Sequence, residues 1–294
     1  MRILIAVDKN SYSAHIVGEA AKLAANTWAD ISILGIQSKT ASRGRDHTTG
    51  ADPVKSLADT LFAYRENFLD HFAEEDCPYA RHEFNKELAE VAKGIWEETG
   101  APNDAKKNLR VRLRKGSPVK EILAEANEEE SDLIVLGCDS TNGCAWEDAV
   151  SAPQKVANDA ACSVLVVKKE EKVQRIVCCL DHDRTTQESL EMINQMVTLY
   201  GAELTIVGLT ENDVLKADVE KKLDNILRYY LARNIEPWIE LVDISSLDSY
   251  IAQGNRSRLM ALWMGKKSII EKVLPRRKVN KLIKGSRSSV LILR

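Results

Sequence analysis

The sequence of 294 residues lacks several features that would settle its class at once. It has no apolar run approaching the roughly 18 residues that cross a bilayer. Its opening, MRILIAVD, turns acidic too soon for a signal peptide. No membrane segment and no export are expected, so the expected localisation is cytoplasmic. Charge is nearly balanced, with 41 Lys and Arg against 44 Asp and Glu and a formal net charge of -3. Bulk charge therefore points to neither nucleic acid nor a membrane as partner. None of the six cysteines, Cys77, Cys138, Cys144, Cys162, Cys178 and Cys179, forms a Cys-x-x-Cys pair. Reduced, mostly buried thiols are expected; a redox bridge between Cys138 and Cys144 is the less favoured reading. No G-x-S-x-G elbow, Walker motif or H-E-x-x-H is present. Asp181, His182 and Asp183 are adjacent on a strand end, where side chains alternate in direction, so no metal site is expected. With no catalytic set in sight, a turnover enzyme is not expected.

What is present is a repeat. RILIAVDKNSYSAHIVGEAAKLA near the start is answered by QRIVCCLDHDRTTQESLEMINQMVTLYGAELTIVGLT near the middle. Each opens on a short apolar strand ending in aspartate, Asp8 and Asp181. ADISILGI (29–36) matches AELTIVGL (202–209), and ACSVLVVK (161–168) matches RSSVLILR (287–294). A unit of more than a hundred residues, doubled, is too long a period for a solenoid.

Within each copy, strands and helices alternate. Runs such as ILIAV, DLIVLG and SVLVV carry no polar alternation, as in strands buried on both faces of a parallel sheet. SPVKEILAEANEE has helical spacing, with Val119, Ile122, Leu123 and Ala126 on one face, Ser117 placed as a cap and Pro118 in the first turn. The fold class is α/β, with two doubly wound parallel-sheet domains in tandem, residues 1–169 and 173–294, and a charged linker over Lys168–Gln174. A helical insertion occupies about 54–100. Val54, Leu57, Leu61, Phe68 and Phe72 form one apolar stripe, and Phe84, Leu88, Val91 and Ile95 a second. That spacing predicts a helix pair covering the sheet edge.

SDLIVLGCDSTNGCAWEDAVSAPQKVANDAACSVLVVK resembles the C-terminal half of a universal stress protein domain. That family carries a strand ending in Gly, a loop of pattern G-x2-G-x9-G-[ST], a helix, and a last strand ending in valines. Aligned without gaps, Gly137 takes the first glycine, Ser140 the second and Val150 the third, and Ser151 takes the hydroxyl position. VDKNSYS is similar to the family's opening, with Asp8 at its aspartate. The resemblance implies an adenine-nucleotide alpha hydrolase-like fold with strand order 3-2-1-4-5. It places a ligand crevice between the first and fourth strands, with the copies paired through their last strands as an internal pseudo-dimer, and it leaves room for a homodimer.

The resemblance also implies a nucleotide site in the first copy: Ala6, Val7 and Asp8 at the end of the first strand, Ile36 as the wall for a base, and Gly137, Ser140, Gly143, Val150 and Ser151 around phosphates. Glycines admit phosphate to the backbone, and a helix N-terminus supplies donors. Against this, two motif glycines are replaced, and Val150 is ill suited to a positive φ. The loop also carries Asp139, Glu147 and Asp148 and no Lys or Arg. Each acid repels a triphosphate by about 1 kcal/mol when screened by water. A helix N-terminus returns about 0.3–1 kcal/mol per exposed anionic group. The favoured expectation is a stress-family binding protein that acts through an unidentified protein partner. The alternative is an adenine-nucleotide sensor holding ATP or AMP, with Mg²⁺, in the first copy. In the second copy Gly265 and Ser268 keep motif places. Arg276, Arg277 and Lys278 stand where the last glycine would be, in a basic stretch expected to be solvated surface.

Overall fold

The computed structural model describes residues 1–38, 53–81, 87–99, 105–138, 145–146, 149–168, 172–179, 185–212, 214–215, 217–252, 257–264, 279–280, 283–284, 286 and 288–294. Two compact units divide the chain, Met1–Val164 and Leu165–Arg294.

The first unit begins with β1 (Arg2–Val7), α1 (Tyr12–Thr27), β2 (Asp30–Ser38) and α2 (Pro53–Leu69). After a hairpin of β3 (Leu88–Ala92) and β4 (Ile95–Glu98) come β5 (Leu109–Gly116), α3 (Pro118–Glu128) and β6 (Leu133–Cys138). A tiny hairpin, β7 (Ala145–Trp146) and β8 (Ala149–Val150), leads into α4 (Ala152–Asp159), and β9 (Ser163–Lys168) crosses the boundary between the units. Strands β5, β2, β1 and β6 run parallel in that order, which is 3-2-1-4 when counted along the chain without the hairpins. From Ile3 to Val7 no β1 side chain is more than 1% exposed, so both faces are covered. That coverage explains the absence of alternation in ILIAV.

The second unit repeats the plan with β10 (Arg175–Cys179), α5 (Gln187–Tyr200), β11 (Glu203–Thr210), α6 (Ala217–Leu231), β12 (Trp238–Asp243), the short α7 (Leu247–Ala252), β13 (Arg258–Trp263) and β14 (Val290–Leu293). Its strands lie in the order β12-β11-β10-β13-β14, all parallel, which is 3-2-1-4-5.

The insertion corrects one expectation. Its first stripe is helical, as α2. The second is the antiparallel hairpin, Leu88 opposite Glu98 and Ala89 opposite Glu97, and β4 pairs antiparallel with β5. Leu88, Val91 and Ile95 have helical spacing, but Lys93 and Gly94 interrupt it, and Gly94 adopts φ 77, a left-handed turn conformation that suits glycine. Pairing to β5 then satisfies backbone groups that a helix would have satisfied within itself. Two smaller corrections follow. Lys168 closes β9 rather than opening a linker; only 2% exposed, its Nζ donates to the Ile283 carbonyl at 2.6 Å and to that of Ser286. Ser117 holds the N-cap position of α3 but makes no side-chain cap bond.

Charge fastens α3 to β5. Arg110, Arg112 and Arg114 alternate along the strand and so share a face. Glu121, Glu125, Glu128 and Glu129 share a helix face by their spacing. Arg112 reaches Glu125 at 2.8 Å and Glu129 at 2.6 Å, and Arg114 reaches Glu125 at 2.8 Å. Glu125 is fully buried and Arg114 is 2% exposed. Arg65 of α2 pairs with Glu98 of β4 at 3.2 Å, holding the hairpin to the helix.

Candidate functional site

In an open parallel sheet, ligands enter beyond the carboxyl ends of the strands, where the order reverses. In the first unit that point lies between β1 and β6. Ala6 is in register with Leu136, so Val7 and Asp8 on one side and Gly137 on the other come together at the mouth. Ile36, near the end of β2, is half-buried and opposite Arg114.

Asp8 is 4% exposed and already engaged. Its Oδ1 accepts from the Asn10 backbone N–H at 3.0 Å and from Ser13 Oγ at 2.9 Å. Its Oδ2 accepts from Asn10 Nδ2 at 2.7 Å and from the Tyr12 hydroxyl. The backbone joins in: Asp8 N–H donates to Ser13 Oγ at 3.1 Å, and Tyr64 of α2 donates to the Asp8 carbonyl at 3.1 Å. The carboxylate thus organises the turn from β1 into α1, using donors from the five residues that follow it.

Gly137 is explained by the same helix. A Cβ there would lie 2.2 Å from Ile16 Cδ1 and 3.2 Å from Tyr12 Cδ2. Tyr12 is 6% exposed and Ile16 is 1% exposed. Side chains of α1 therefore pack against β6 at the glycine. Gly35 plays a similar part on β2, where Leu61 of α2 would lie 2.9 Å from an added Cβ.

Beyond β6, Val150 is in the short strand β8, opposite Ala145. The left-handed residue falls one place later, at Ser151 with φ 69, the N-cap of α4. A turn of the kind a glycine would ease is thus made by the hydroxyl residue. Ser140 and Gly143 lie outside the described residues, as do Cys144, Asp181 to Asp183, Gly265, Ser268 and the arginines at 276 and 277. Among the described residues, no group of three or more His, Cys, Asp and Glu is placed to hold a metal, and no helix is long and apolar enough to cross a membrane. Cys178 and Cys179 are fully buried in β10, and burial pushes the Cys179 thiol up to about 12. Both are inert thiols at neutral pH.

Asp8 and Gly137 were expected from the sequence at the strand ends; their partners Asn10, Tyr12, Ser13 and Ile16 were not. Asn10, Tyr12 and Ser13 were visible in VDKNSYS as donors within five positions of an aspartate, which is the signature of a local turn.

The parallel order and its reversal define a doubly wound α/β protein whose strand plan recurs in both units. Residues 1–168 match the model of the universal stress protein family. A curated relative, the universal stress protein YxiE of Bacillus subtilis, is 27% identical over 169 residues, covering 57% of this chain and 98% of its own. Among solved structures, a universal stress protein from Archaeoglobus fulgidus aligns with a TM-score of 0.57 at 14% identity, over 100% of this chain and 96% of that one. A functionally unknown protein from Pseudomonas aeruginosa PAO1 aligns at 0.54 and 15%, over 99% and 92%. This chain belongs to the universal stress protein family.

Proposed function

We propose that this chain is a binding and regulatory member of its family that acts through protein contacts and not through turnover, its first nucleotide mouth closed by its own α1. The observation that supports this most is the state of Asp8. All the hydrogen bonds described at its carboxylate come from Asn10, Tyr12 and Ser13, while Tyr12 and Ile16 fill the space above Gly137. A ribose hydroxyl would have to displace the Tyr12 hydroxyl from a buried acceptor, and a lost bond of that kind costs about 1–3 kcal/mol. The acids at 139, 147 and 148 act in the same direction on any phosphate.

A second reading has one observation in its favour. Ser151 keeps a left-handed conformation at the start of α4 without being glycine, and such strain is often retained for function. In that reading an adenine nucleotide sits in the first copy, with Mg²⁺ bridging its phosphates to the loop acids.

Calorimetric titration of the full chain with ATP, AMP and adenosine, with and without Mg²⁺, separates the two. No saturable heat is expected. Binding near one nucleotide per chain, or an adenine nucleotide released stoichiometrically on heating the purified protein, overturns the first reading in favour of the second.

A further inference from the structure

We infer that the outer edge of β12 is a dimerisation surface, on which β12 of a second copy of this chain pairs antiparallel. Among the described residues β12 pairs on one side alone, with β11. Trp238, Ile239 and Leu241 are 66%, 41% and 56% exposed; three of the seven large apolar side chains exposed among the described residues thus lie on this one six-residue strand. An apolar, unpaired edge is a template for another strand, and natural sheets commonly cover or blunt one.

The internal repeat shows what covers the matching place. β5 is the third strand of the first unit, as β12 is of the second. The chain between β2 and β5, residues 39–108, includes the hairpin, and β4 lies antiparallel against β5 with Ile95, Trp96 and Glu97 opposite Arg114, Leu113 and Arg112. Among the described residues of the corresponding segment of the second unit, 211–237, the main element is α6, and no strand there pairs with β12. Among the described residues, the position that receives an antiparallel strand in the first unit receives none in the second.

The sequence of β12 suits its own twin. A twofold axis normal to the sheet keeps each face on its own side, so an antiparallel self-pair must centre on a residue. Centred on Glu240, the two carboxylates would stand opposite each other, which is unfavourable. Centred on Leu241, the leucines meet, Glu240 faces Val242, and Ile239 faces Asp243. Both acids are already held within the unit: Glu240 accepts from the Tyr250 hydroxyl, and Asp243 accepts from the Ser245 N–H at 2.9 Å and its Oγ at 2.6 Å. The twofold pairing is isologous and closes on itself. The outermost strand of the first unit, β3, is a poorer candidate. Its pairing with β4 carries a register shift between Glu90 and Ala92, and bulges and charges of this kind blunt an edge.

Sedimentation of the full chain tests this. The wild-type protein is expected to be a dimer, and Leu241→Lys and Ile239→Lys each weaken it by roughly tenfold or more, with thermal melts of dilute protein showing that both variants fold. The register is read by disulfide trapping: Leu241→Cys links to its twin on oxidation, while Ile239→Cys and the wild type do not. A wild-type monomer, a dimer that survives Leu241→Lys, an open-ended ladder of larger species, or cross-linking at position 239 in place of 241 each overturns the proposal.

Discussion

A single glycine shows how two arguments converge on one atom. In the family pattern Gly137 is the first residue of a phosphate loop; in this fold it is the floor on which Ile16 and Tyr12 rest. If the second role governs, Gly137→Ala behaves as an overpacked core site. An added methyl 2.2 Å from Ile16 Cδ1 forces the Ile16 side chain or α1 itself to give way, and a cost of about 1–3 kcal/mol in chemical denaturation is expected. A variant as stable as the wild type would show that α1 is not seated there. Gly137 and Asp8 were legible in the sequence as positions, because a strand ending in a small or acidic residue marks the carboxyl edge of a parallel sheet. Their partners were not. Tyr12 reads as an ordinary helix residue until the register of β1 against β6 places it above the glycine, and that register is set by pairings more than a hundred residues apart.

At the level of elements, what the apolar pattern could not reveal was carried by charge and by one turn. LRVRLRKG spells a strand with arginine at every second position, and KEILAEANEEE spells a helix with glutamates on one face. Neither is apolar enough to announce a core, so the network they form was not foreseen. The hairpin was hidden because its residues also fit a helical period, and only Lys93 and Gly94 argued against it. Burial raises the Glu125 carboxyl above its ordinary value, opposed by Arg112 and Arg114; burial likewise raises Glu98, opposed by Arg65. A carboxyl with a higher pKa folded than unfolded contributes stability below its unfolded value and loses it as pH rises through the folded value. These acids therefore weigh against the fold at neutral pH, and the arginines offset them. Arg114→Met removes one of those cations from a buried site, and a loss of about 3 kcal/mol or more is expected at pH 7. The loss should narrow on acidification, since Glu125, left with Arg112 alone, then takes up its proton more readily. Urea unfolding at neutral pH and near pH 5 measures the gap; one that widened in acid would count against the pairing.

Across the whole molecule, two units of one strand plan differ at the third strand. The strand order was legible because both copies carry the same punctuation of apolar strand, helix and strand. The difference at the third strand was partly legible too, as an insertion in one copy and not in the other, though its consequence for β12 was not. Fold alone does not assign an activity to such a chain; the two sites give it one test in common, a thermal melt. A nucleotide held at a hundred times its dissociation constant stabilises by about 2.7 kcal/mol. In a unit of this size, that corresponds to a rise of about 5 °C or more. If α1 closes the mouth as proposed, neither ATP nor AMP should move the melting temperature. A dimer whose interface is lost on unfolding melts higher as protein concentration rises, so raising the concentration should move it when nucleotide does not, and Leu241→Lys should shift that dependence to higher concentration. A melt that follows nucleotide would make the first mouth a nucleotide site, and one that ignores concentration would leave β12 a bare edge.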